Sequence, residues 1–322
     1  MTATMRAIQL DAPARRDALH LREVPVPEPP PGWARIAVEA FGINRADLEY
    51  DAGGPRIPGV ECAGVVRAAP ETTLRPGQQV VALLGGMGRD FDGSYAEEVM
   101  VPASQVVPIG TDLPWEVVAA LPQMLQAAHG SLTVGLNAQP GHAVLIRGGT
   151  AAVGLCAAAL AAERGATVLA TTRREDRLTA LAARGVEHPI LDEGEIAAQV
   201  RDQFPEGVDG TVDLVGPATL PDSLRATRAH GTVCVTGSLC GRRTLAEFEP
   251  MVAVPNGVRL TGYQGGAADL PAALLQRYLD AVADGRFDLP IHRVYPLEGV
   301  MDAHTALATG EPMGKLVVRV RR

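Results

Sequence analysis

The sequence predicts an α/β fold in two parts, a small barrel of short strands and a doubly wound parallel sheet. The first third of the chain is a succession of short apolar runs punctuated by Gly and Pro. From His142 onward, strand-like apolar runs alternate with helical ones, which implies a parallel sheet covered on both faces. The first of those runs, AVLIR, passes through a turn of small residues and a helix opens at once.

Taken in order, PVPEPPPG (residues 25–32) is too rich in Pro for regular structure. ARIAVEAF then alternates, with Ile36, Val38 and Ala40 on one face and Arg35, Ala37 and Glu39 on the other, the period of a half-buried strand. Further strands are predicted at residues 62–67, 79–84 and 95–101, with RPGQ and FDGS as turns. Asp112 is a candidate helix cap, with Pro114 in the first turn of a helix that runs on through WEVVAALPQMLQAAHGSL. AVLIR and TVLATT are strands. Each is followed by a helix, closed by Gly165 and by Gly185. HPIL, VDGTVDLVG, GTVCVTG and VRLTGY continue the strand series, with helices near 195–203 and 219–229 between them. A long helix, then strand, helix and strand complete the chain. No internal repeat is visible.

With 322 residues the chain can bury one large core or two smaller ones, and its 47% hydrophobic and 20% charged residues are ordinary for a globular protein. A net charge of −8 argues against nucleic-acid or anionic-membrane partners, and 4% aromatic residues against base stacking. Cys62, Cys156, Cys234 and Cys240 show no metal-site or disulfide spacing, and Cys234 and Cys240 read as inert small apolar residues. The N-terminal stretch lacks the apolar core of a signal peptide, and no run approaches the roughly 18 apolar residues of a membrane span. A cytoplasmic setting is expected.

The most informative stretch is AVLIRGGTAAVG. Gly149 and Gly154 are the first and third glycines of a G-x-G-x-x-G spacing, with Ala151 in place of the second. Such a turn brings the backbone N–H groups of Gly149, Thr150, Ala151, Ala152, Val153 and Gly154 to a pyrophosphate at a helix N-terminus. The plainer reading is a tight strand–helix turn with no ligand. At the end of the next strand, where an NAD site would place an acidic residue for the ribose, stand Thr172, Arg173 and Arg174. Two guanidinium groups there favour a 2′-phosphate and hence NADPH; the alternative is two solvated charges. Val215 with Gly216, and Gly237 with Ser238, close the fourth and fifth strands of the series, the end at which such sheets bind ligands.

With these pieces the chain resembles the medium-chain dehydrogenase/reductase superfamily, and most of all its zinc-independent quinone oxidoreductase branch, which includes zeta-crystallin-like proteins. The resemblance rests on GINRAD, PGVECAGVV, RPGQQVVAL, GSYAEEVMVP, HAVLIRGGTAAVGLCAAALA, TTRREDRLTAL and GKLVVRV, and covers nearly the whole length. It implies a GroES-like catalytic domain from residues 1–118 and 262–322, and a Rossmann NADPH-binding domain from 119–261. It also implies that the metal site of the zinc alcohol dehydrogenases is lost. Asn44, Val60 and Gln123 stand where those enzymes carry zinc ligands, so no metal is expected. Asp47 and Glu61 are then remnants of the shell around that site.

The resemblance makes Asn44 a hydrogen-bond donor to the oxygen of an acceptor. Tyr50 is either a proton donor or a packing residue at the rim. Gln123 lines the pocket or fills a helix face, and Lys315 matches a position near the cofactor or is a solvated lysine at a strand start. The expected activity is NADPH-dependent reduction of a quinone or an activated C=C bond without zinc. Carbonyl or iminium reduction in a biosynthetic pathway, or NADPH binding without catalysis, are the alternatives. The partner set is a small-molecule substrate and a second copy in a homodimer paired through the VRLTGY edge.

Overall fold

The computed structural model describes residues 3–11, 19–48 and 56–321. Its contacts divide the chain into two units, Met1–Gln126 with Gly266–Arg322, and Ala127–Gly265. Both boundaries fall a few residues beyond those expected. Gln276, whose side chain bonds the backbone of Gly110, ties its helix to the first unit.

The chain begins with β1 (Thr4–Leu10) and β2 (Leu19–Pro25), an antiparallel pair. It continues through β3 (Trp33–Ile43), β4 (Glu61–Ala68), β5 (Gln79–Leu83), β6 (Glu98–Pro102) and β7 (Val106–Pro108). Two helices follow, α1 (Trp115–Ala120) and α2 (Pro122–Gly130). Asp112 does not cap the first: the cap position is Pro114 and no side chain bonds it. The expected single helix breaks before Pro122, which lacks the N–H that a helix interior needs and clashes with the preceding turn.

The second unit contains β8 (Ala143–Arg147), α3 (Ala152–Glu163), β9 (Thr167–Thr172), α4 (Leu178–Ala182), β10 (His188–Leu191) and α5 (Ala197–Gln203). It goes on through β11 (Val208–Asp213), α6 (Leu220–Ala226), β12 (Thr227–Val235), α7 (Pro250–Ala253) and β13 (Arg259–Gly262). The chain then returns to the first unit with α8 (Ala272–Ala283), β14 (Ile291–Pro296), α9 (Val300–Thr309) and β15 (Lys315–Arg319).

In the first unit the larger sheet has the order β14-β15-β3-β4-β5-β7, with β6 also on β3. β3 is therefore central, and its inner side chains Ile36, Val38 and Phe41 pack with Cys62, Val80, Tyr95 and Val318. In the second unit six strands pair in parallel in the order β10-β9-β8-β11-β12-β13. Every residue of β8 is buried, as a central parallel strand requires. This is the doubly wound order, and it reverses between β8 and β11. Ligands of such sheets bind beyond the strand ends at that switch point. Among the described residues no helix is long and apolar enough to cross a membrane.

Candidate active site

At the end of β8 the turn is held to β9. Gly148 N–H bonds Thr171 Oγ1 at 3.0 Å and Gly149 N–H bonds Thr171 O at 2.9 Å. A Cβ on Gly149 would come within 2.7 Å of Ala170 Cβ, and one on Gly154 within 2.4 Å of the Gly148 carbonyl. These glycines let the turn close on β9 and let α3 close on the turn. The residue with the left-handed backbone is Gly148 (φ 88°), one position before the pair read from the spacing. The adjacent glycines were the signal for it. Ala151 is the cap of α3 and bonds nothing with its side chain, so the first-turn N–H groups of Ala152, Val153 and Gly154 are left to a ligand. Thr150 is half-buried in the same turn.

The neighbouring strand ends converge on this turn. Leu214 N–H bonds Arg147 O at 3.1 Å, and Leu239 N–H and Cys240 N–H bond Leu214 O and Val215 O. A Cβ on Gly148 would meet Leu239 and Val215. Val215, Gly237 and Ser238 are thus gathered beside the turn. Ser238 donates its hydroxyl to the Arg242 carbonyl.

Two groups absent from the sequence reading organise this end of the sheet. Asp213 is wholly buried and accepts from Val215 N–H (2.9 Å), Gly216 N–H (2.8 Å), Thr219 and Ser223. Burial raises its carboxyl above the usual range, against those bonds. Arg147, also buried, holds Asp192 with two donors and Asp222 with a third. A charged residue closing a strand was the only sequence signal for either.

The two arginines at the end of β9 are not equivalent. Arg174 makes a two-point bond to Asp176 (3.0 and 2.6 Å) and holds that carboxylate below its usual range. Arg173 is exposed and has no side-chain partner among the described residues. Thr172 is buried, with Oγ1 accepting from Arg174 N–H at 3.2 Å.

In the first unit Asn44, Glu61 and Lys315 form one buried cluster. Lys315 Nζ donates to Glu61 Oε1 (2.5 Å) and to Asn44 Oδ1 (2.6 Å), and Asn44 Nδ2 donates to Glu61 Oε1 (2.8 Å). Glu61 Oε2 accepts from the Gln123 backbone N–H at 2.8 Å. Lys315 is therefore neither solvated nor free: it is 1% exposed and bound at its ammonium. The Asn44 carboxamide is engaged at both ends. Gln123 keeps a half-buried side chain with no partner among the described residues. Tyr50 lies outside the described residues.

Asp47 extends the cluster, accepting from Asn44 N–H at 2.7 Å. Its other oxygen has no well-aligned donor, although the Tyr95 hydroxyl acts on its charge. Burial pushes its carboxyl up to about 7, against the Asn44 bond and the Lys315 charge. Tyr95 in turn bonds His304 Nε2 at 2.9 Å, deep in the core.

Of the cysteines, Cys62 is buried and burial pushes its thiol up to about 12. Cys234 is raised for the same reason. Cys240 differs from both. It is half-buried, and although burial opposes ionisation, hydrogen bonding with the backbone at Arg242 and Ala218 brings its thiol below the usual range.

Two family models match the chain, an alcohol dehydrogenase GroES-like domain over residues 30–111 and a zinc-binding dehydrogenase domain over residues 152–280. The human synaptic vesicle membrane protein VAT-1 homolog is 27% identical, over 93% of this chain and 82% of its own length. A 2-haloacrylate reductase of Burkholderia sp is 25% identical, over 92% of this chain and 93% of its own. The structure of the quinone oxidoreductase from Coxiella burnetii superposes with a TM-score of 0.87 at 25% identity, over 99% of this chain and 100% of that one.

Proposed function

This chain belongs to the medium-chain dehydrogenase/reductase superfamily, in its quinone oxidoreductase branch, and from that premise we propose that it carries hydride from NADPH to a quinone or to the β-carbon of an enone, without zinc. The observation that carries the proposal is the crevice of the second unit. There the N-terminus of α3, the Gly148–Gly149 turn and the Arg173 guanidinium, unpartnered among the described residues, suit a pyrophosphate and a 2′-phosphate. The residues present therefore fit NADPH. Gly149 to Gly154 would receive the pyrophosphate, Arg173 the 2′-phosphate, and Val215, Gly237 and Ser238 the sugar and ring beyond the strand ends. When bound, NADPH supplies the hydride.

The donor set in the first unit does not suit zinc. Asn44 and Val60 are not zinc ligands, and the Lys315 ammonium already supplies the positive charge against Glu61. Reduction of an enone or a quinone needs only donors that hold the acceptor's oxygen as it gains charge, and Asn44, Gln123 and Tyr50 are assigned to that task. The reductase of a haloacrylate among the relatives supports an activated C=C bond as substrate. Free thiols at all four cysteines suit a reducing cytoplasm. A homodimer through the edge strand β13 completes the proposal.

A panel of quinones, enones, aldehydes and cyclic imines, each followed by NADPH absorbance, tests this reading. Turnover of quinones or enones is expected. Turnover of aldehydes or imines alone would move the activity to carbonyl or iminium reduction. NADPH binding with no turnover would make the chain a non-catalytic binder.

A further inference from the structure

The Lys315–Glu61 pair lies across a strand rather than beside one. β15, β3 and β4 are consecutive in the sheet, with Lys315 opening β15 and Glu61 opening β4. The two side chains meet over β3 at Gly42. A Cβ there would come within 2.4 Å of Glu61 Oε1 and of Lys315 Cε, and within 2.9 Å of Nζ. Neighbouring strands are about 4.8 Å apart, so the pair spans about 10 Å of sheet, which two long side chains reach only over a position with no side chain. Both charges are buried, 1% and 0% exposed. A buried ion pair is a weak source of stability, because desolvation offsets its attraction.

It is a strong source of position. Glu61 and Lys315 grip the Asn44 carboxamide from both ends, which fixes which end is oxygen and which is nitrogen. Among the described residues the second Nδ2 hydrogen makes a longer bond, 3.4 Å to the Gly42 carbonyl. The second oxygen of Glu61 takes the Gln123 N–H in the first turn of α2, a donor that the helix itself cannot satisfy. One carboxylate thus holds two of the three groups assigned to the acceptor.

We propose that Glu61, charged and held by Lys315 across Gly42, is the positioning residue that aims Asn44 and Gln123 at the acceptor's oxygen. This rests on the acceptor roles given above to Asn44 and Gln123. Replacing Glu61 would leave NADPH binding in the second unit alone and weaken only the handling of the acceptor.

The test compares Glu61→Gln with the double variant Glu61→Leu/Lys315→Met, which removes both charges together and so leaves neither stranded in the core. NADPH affinity by fluorescence is expected to stay within about twofold of wild type, while kcat/KM for the acceptor falls about 10- to 100-fold, as for groups that orient a ligand-contacting residue. The Asn44 side-chain amide resonances should shift, and the Gln123 amide should exchange at least about tenfold faster, the loss of a bond of roughly 1.4 kcal/mol. A folded double variant with wild-type acceptor kinetics overturns the proposal. So do unchanged Asn44 resonances and Gln123 protection. If wild type turns over no acceptor, the preceding reading fails, and the resonance and exchange measurements still decide whether Glu61 positions these groups.

Discussion

Asp47 is buried beside Asn44, Lys315, Glu61 and Tyr95, and burial shifts it toward its neutral form. Its folded pKa of about 7 lies above the ordinary carboxyl value, so the folded state binds the proton more tightly. The resulting stability is fully present below the unfolded pKa and is lost as pH rises through the folded one. Asp47→Asn, which can still accept from Asn44 N–H, should therefore raise the melting temperature most at pH 8 and less at pH 5, where the folded carboxyl keeps its proton. Thermal melts at the two pH values check the sign, and a variant less stable at both would contradict it. Arg173 and Arg174 make a second case. Arg174 is already spent on Asp176, so Arg173→Ala should raise the KM for NADPH roughly 10- to 100-fold, the loss of one charge-assisted contact of about 1.5–3 kcal/mol. Arg174→Ala should have a smaller effect, and neither should change the KM for NADH. Steady-state kinetics with both cofactors decides. The arginine pair was legible because the end of a strand is read from a few adjacent residues. The Lys315–Glu61 pair was not, because its members are 254 positions apart and only the sheet brings them together.

The turn from β8 into α3 was legible for the same local reason: an apolar run, small residues and a helix follow one another directly. The continuous helix expected after Asp112 was not observed, because apolar periodicity persists across Pro122 while the backbone cannot. Gly42 shows what pattern alone leaves out. In the sequence it is one residue of an apolar strand, and its backbone is ordinary; the reason for glycine lies in the two side chains that cross it. Gly42→Ala should cost about 1–3 kcal/mol in denaturant unfolding, the usual cost of overpacking, and lower acceptor turnover with it. A neutral effect on both would show that the pair can move aside. The loop after β12 carries Gly237, Ser238 and the thiol of Cys240. Cys240 should therefore be the first cysteine alkylated by iodoacetamide, while Cys62, Cys156 and Cys234 react only on unfolding. Peptide mapping by mass spectrometry reads the order.

At the scale of the whole molecule, the first unit is built from both ends of the chain and the second from its middle. The strand–helix alternation of its middle was legible, since it begins and ends within the chain. β13 was expected at a sheet edge and lies there. Leu260 on it is 40% exposed, and Met251 and Val252 shortly before it are 94% and 75% exposed. An edge with free backbone groups and apolar side chains suits a second copy of the chain. Light scattering at micromolar concentration should give twice the chain mass, and a charged residue in place of Leu260 should give a monomer. The proposed reaction turns on where the hydride goes and what assists it. Metal-depleted protein given an enone and NADPH deuterated at the transferred position should yield a product with one deuterium on the β-carbon, the α-carbon taking its proton from water. Deuterium on the carbonyl carbon, or activity lost on metal removal and restored by zinc, would contradict the account.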